Sequence, residues 1–136
     1  MAEVTEKIEK IDEQTTIKTI TVTFSTKDTA GLDHPPVVMS AGQRDKLVFD
    51  CEDGSNFDIT DIRKATQEDV QQHKISAADL KETPDAPPIP FSPQAPFFGA
   101  KLSQWGPAFP SAAGQTYKYT VRAGPVELDP HIIVAK

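Results

Sequence analysis

Gly114-Gln-Thr-Tyr-Lys-Tyr-Thr-Val-Arg-Ala-Gly-Pro-Val-Glu-Leu-Asp-Pro-His-Ile-Ile-Val-Ala-Lys136 carries the clearest strand signature in the chain. Its period is two. Tyr117, Tyr119 and Val121 fall on one face, and Lys118, Thr120 and Arg122 on the other. That is the pattern of a strand with one face against a core. Ala123-Gly-Pro125 turns the chain, Val126–Pro130 bends it, and His131–Ala135 reads as a last strand. Gly124-Pro125 and Pro130 limit how far either strand extends, because proline cannot donate to a ladder.

Working back from this segment, the same period recurs. In Thr15–Thr26, Ile20, Val22 and Phe24 alternate with threonine, and Ile17 is out of step. Pro36–Met39 reads as a short strand after the loop Ala30–Pro36. Lys46–Cys51 and Ser55–Thr60 read as a hairpin pivoting on Asp53-Gly54, a dipeptide suited to positive φ. Leu47, Phe49 and Cys51 would share one face, and Phe57 and Ile59 a face of the partner. Six or seven short strands separated by turn signals predict an all-β fold, an antiparallel β-sandwich.

Two stretches break the pattern. Residues 1–14 carry Val4, Ile8 and Ile11 at helical spacing and read as an N-terminal arm or short helix ahead of a sandwich domain at 15–136. About 61–82 is rich in Gln, Glu, Lys and Ala. Thr66 with Asp69, and Ser76 with Asp79, put a cap residue three before an acid, so a short helical insertion is expected there.

The segment 84–110 is a long Pro-rich loop on this reading. It holds eight of the twelve prolines, four of the seven phenylalanines and the only tryptophan. Prolines 84, 87, 90, 93 and 96 recur every third residue, the period of a polyproline II helix. Such a segment could be a strap laid on the sandwich. It could be a ligand for proline-recognising modules, although the nearest flanking bases are Lys81 and Lys101. Or Phe91, Phe97, Phe98, Trp105 and Phe109 could form a partner-binding or self-association patch.

With 136 residues the chain is long enough to bury a core without staples. Its net charge of −6 disfavours nucleic acid or an anionic membrane as partner. Residues 45–85 hold eleven acids and five bases, so the whole excess sits mid-chain, either as a solvated face or as a docking surface for a basic partner. The single cysteine, Cys51, excludes an intrachain disulfide. No apolar run approaches a membrane span and the charged N-terminus is no signal peptide, so a cytoplasmic protein is expected if Met1 is the natural start.

Catalytic chemistry finds little support. His34, His73 and His131 share no ligand spacing. Cys51 sits amid acids, which disfavour a thiolate. No phosphate-binding or nucleophile-elbow motif is present. The expectation is a non-enzyme with no cofactor, catalytic or metal-site residue, acting on a protein partner or as a homo-oligomer. The alternative is a metal-binding or redox protein drawing ligands from Cys51, Met39, His34 and His131.

The closing strand, turn and apolar strand, together with Asp45-Lys-Leu-Val-Phe49, resemble the cupredoxins. That family ends on a Gly-x-x-Tyr-x-Tyr-x-Cys strand, a ligand loop and a final apolar strand. The resemblance implies a cupredoxin-like Greek key. The ligands do not carry over: Val121 stands at the cysteine position, and neither Arg122–Leu128 nor Asp50–Ile62 contains a histidine. The chain is thus similar to copper-free cupredoxin-like domains of uncharacterised bacterial proteins, with the blue-copper function lost.

Overall fold

The computed structural model describes residues 3–14, 16–25, 37–41, 45–93, 102–124, 126–128 and 131–135. Most of these lie in strands, arranged as two mixed sheets, with one short helix. The first sheet has the order β1 (Glu3–Lys10), β2 (Thr16–Phe24), β4 (Lys46–Cys51), β7 (Leu102–Ala108), β6 (Phe91–Pro93). The second runs β3 (Val37–Ser40), β10 (His131–Ala135), β8 (Thr116–Ala123), β5 (Asp58–Lys64), with β9 (Val126–Leu128) also on β8.

One core joins the sheets. Ile20, Val22, Phe24, Leu47 and Phe49 from the first cluster with Met39, Ile59, Tyr117, Tyr119, Val121, Ile132 and Val134 from the second. Phe49 and Tyr119 meet edge-on across the two layers at 5.4 Å between ring centroids. The alternation in β2, β4 and β8 therefore selects the buried stripe as its period requires.

Several expectations are corrected. Residues 3–10 form a strand antiparallel to β2 over its whole length, not an arm or helix. Val4 and Ile8, four apart, share a face in a strand as well as in a helix, and pairing with β2 decides between them. The sheets are mixed and not wholly antiparallel: β2 runs parallel to β4, and β3 parallel to β10. The cause is that the chain leaves β2 for β3 in the other sheet before returning as β4.

For the same reason β4 and β5 are no hairpin. The Asp53-Gly54 turn forms, with Gly54 at φ +75°, but it carries the chain from one sheet to the other. The helical insertion is shorter than expected. β5 continues to Lys64, and α1 (Gln67–Gln71) is one and a half turns, followed by a 3₁₀ turn at Ala77–Asp79. Thr66 and Asp69 do form the capping box read from their spacing. Segment 84–110 is not a loop throughout, since it contributes β6 and β7.

Candidate interaction surface

The Pro-rich segment begins as a strap. Thr83 N–H donates to Gln115 Oε1 at 2.8 Å, and Thr83 Oγ1 donates to the Ala113 carbonyl at 3.2 Å. Thr116 Oγ1 donates to the Asp79 carbonyl at 2.6 Å, and Tyr117 Oη to the Pro87 carbonyl at 2.6 Å. Residues 79–87 are thus tied to the start of β8, the most deeply buried strand. The Pro84-Asp85 turn, with Ala86 N–H donating to the Thr83 carbonyl, replaces a straight polyproline helix at this end. Along the proline row, Pro84 is exposed, Pro87 half-buried and Pro90 buried, so the row descends onto the body of the protein.

Beyond Pro90 the segment becomes the border of the first sheet. Among the described residues β6 pairs only with β7, at Phe91 opposite Ala108 and Pro93 opposite Trp105, and β7 pairs with β4. Phe109 N–H donates to the Pro90 carbonyl at 2.7 Å, closing the pair, and the Phe109 ring is 37% exposed. Of the five aromatic residues expected at a contact patch, Phe91, Trp105 and Phe109 therefore fall in or beside these two strands. Phe97 and Phe98 lie outside the described residues.

The second sheet carries a feature the sequence did not announce. Arg63 lies opposite Lys118, and Lys118 opposite His131, in adjacent ladders. Directly opposed residues share a face, so three basic side chains form a row across β5, β8 and β10. The acidic insertion meets the row. Arg63 makes two hydrogen bonds to the Asp69 carboxylate, at 2.7 and 2.6 Å, and His131 Nε2 lies 3.3 Å from Asp79 Oδ2. Lys118, at the centre, is 1% exposed. The mid-chain acidic excess is therefore partly consumed inside the molecule. Its uneven placement was the signal, but only strand register reveals the row.

Beside this row a polar hollow of about 480 Å³ is lined by Asp61, Arg63, Lys74, Lys118, Thr120 and Glu127, among others. The ladder between β5 and β8 slips between Thr60 and Arg63, and Asp61 sits there at φ +57°. Arg63 is already held by Asp69, and Glu127 accepts from Arg122 at 2.9 Å. Neither cysteine nor histidine lines the hollow.

The residues offered as distant metal ligands are engaged separately. Cys51 Sγ donates to Asp53 Oδ1 at 3.0 Å, and burial together with that bond pushes its thiol pKa up. Met39 is in the core and His131 faces Asp79, while His34 lies outside the described residues. Val121, where the resemblance to cupredoxins would put a cysteine, is fully buried. Among the described residues no group of three His, Cys, Asp or Glu side chains is placed to hold a metal. A blue-copper centre does not fit these residues.

No family model matches the chain, and neither a curated protein nor a solved structure matches it. No helix among the described residues is long and apolar enough to cross a membrane.

Proposed function

We propose that this protein is a non-catalytic, copper-free cupredoxin-like sandwich that works as a binding or self-association module. Its contact surface is the border of the first sheet formed by segment 84–110. The carrying observation is Phe109, a large apolar residue more than one third exposed, whose backbone is bonded to Pro90 beside a border strand that has one partner among the described residues. An exposed apolar group on an anchored backbone costs less ordering entropy when a partner covers it than one on a free loop. The cupredoxin-like reading is supported by β8, a turn through β9, and apolar β10 antiparallel to β8.

The test is capture of a protein partner from extracts by immobilised chain, in parallel with Phe109→Ser. Loss of the same partner with the variant, at unchanged melting temperature, supports the reading. Equal capture by both forms refutes it.

A further inference from the structure

We infer that two copies of this chain pair through β1, antiparallel and centred on Ile8, joining their first sheets into one. Among the described residues β1 pairs only with β2, so its outer edge presents unpaired backbone over Glu3–Lys10. A border strand of this length is a template for another strand. It also carries the two most exposed large apolar side chains among the described residues, Ile8 at 66% and, one residue past its end, Ile11 at 56%. Val4, on the same strand, packs against the core instead.

The sequence of β1 selects the register. In a two-fold antiparallel pair, opposed residues share a face while faces alternate along each strand, so the axis must pass where one residue meets its own copy. Centring on Glu6, Lys7 or Glu9 sets two like charges against each other at the axis. Centring on Thr5 gives two opposite-charge pairs, Glu3 with Lys7 and its mate, and leaves Ile8 outside the strand pair.

Centring on Ile8 sets Ile8 against Ile8. It then sets Lys7 against Glu9 and Glu6 against Lys10, each twice, and Thr5 against Ile11. Within the paired strand residues 6–10 this gives four opposite-charge pairs and no like-charge pair, while Glu3 meets Glu13 only beyond the strand end. Lys7 and Glu9 already form an exposed ion pair at 3.0 Å within one copy. In the dimer they would close a four-charge ring on one face. On the other face Ile8 borders a hollow of about 220 Å³ with Thr16, Lys18, Ser40 and Asp45, and its copy would set a second isoleucine beside that rim. This contact is separate from the Pro-rich border, since β1 and β6 stand at opposite ends of the first sheet.

Sedimentation equilibrium of the full chain, with Glu6→Lys and Lys10→Glu, tests the inference. Wild type is expected to dimerise, more weakly as salt rises. Each variant turns two attractive pairs repulsive and should raise the dimer dissociation constant at least about tenfold. An equimolar mixture of the two variants should recover a heterodimer, because one copy then carries lysine at both positions and faces glutamate at both positions of the other. Oxidised Ile8→Cys should give a covalent dimer. A wild-type monomer up to millimolar concentration overturns the inference. So does a dimer indifferent to both charge reversals but lost in Phe109→Ser, or a variant mixture that stays monomeric.

Discussion

Arg63 and Asp69 are joined by two parallel hydrogen bonds, Nη1 to Oδ2 at 2.7 Å and Nη2 to Oδ1 at 2.6 Å. Asp69 is also the acid of the α1 capping box, accepting from Thr66 N–H at 2.7 Å. One carboxylate thus fastens the short helix to the second sheet. A helix of five residues has no stability of its own, so its position depends on this contact.

Asp69→Asn should therefore cost about 2 kcal/mol, since it removes a charge-assisted pair and leaves Arg63 half-satisfied. The midpoint of urea unfolding measures it. Amide exchange at Gln67–Gln72 should rise more than in β8.

The same carboxylate sets an acid limb. The Arg63 guanidinium holds the Asp69 pKa at about 2, against an ordinary value of 3.8. The folded value is depressed, so its stabilisation is present above about pH 4 and lost as pH falls through about 2. The amount is on the order of 1–2 kcal/mol, discounted because Arg63 is partly exposed to solvent. In Asp69→Asn the fall in unfolding free energy between pH 4 and pH 2 should be smaller by that amount. An equal fall in both proteins would show that Asp69 does not titrate as described.

Tyr117 should govern the opposite limb. Burial raises its pKa to about 12, and its hydroxyl donates to the Pro87 carbonyl. The folded value is raised, so stability is intact below about pH 10 and is lost as pH rises through about 12. Tyr117→Phe should cost about 1 kcal/mol at neutral pH. It should also speed limited proteolysis around Pro84–Pro90, because that hydrogen bond helps to anchor the strap.

Gly54 stands at φ +75° with nothing within 4 Å of where a Cβ would lie. Gly54→Ala should cost about 1–2 kcal/mol through the backbone alone. Thermal melting would register this, and an unchanged midpoint would show that the sheet-crossing turn does not need its left-handed residue.

Cys51 should resist thiol reagents in the native protein. It is buried, its pKa is raised, and its sulfur is bonded to Asp53. Reaction with a disulfide reagent should follow global unfolding and accelerate with urea. Rapid native labelling would contradict the assigned environment.

The core stripes were legible in the sequence. Ile20, Val22, Phe24, Leu47, Phe49, Tyr117, Tyr119 and Val121 are buried as their alternation predicts, because a period of two has one physical solution when one side is dry. Lys118 lies on the face opposite that stripe, yet it too is buried. Alternation separates the two faces of a strand but does not tell what will cover the second. The sheet assignments of β4 and β5 were not legible either, since a tight turn at Asp53-Gly54 serves a hairpin and a sheet crossing alike. Of the candidate contact residues, composition drew attention to segment 84–110, but its division into strap and border strands depends on hydrogen bonds to β8 and β7. The edge of β1 was missed because Val4, Ile8 and Ile11 fit a helical spacing, and only the partner strand breaks the tie.

On the function proposed above, this protein acts through surface contacts and not through a bound metal. Native mass spectrometry after incubation with equimolar copper and zinc reads metal content and assembly state together. Metal-free chains, including assemblies larger than one copy, are expected. A monomer carrying stoichiometric copper or zinc would contradict that function.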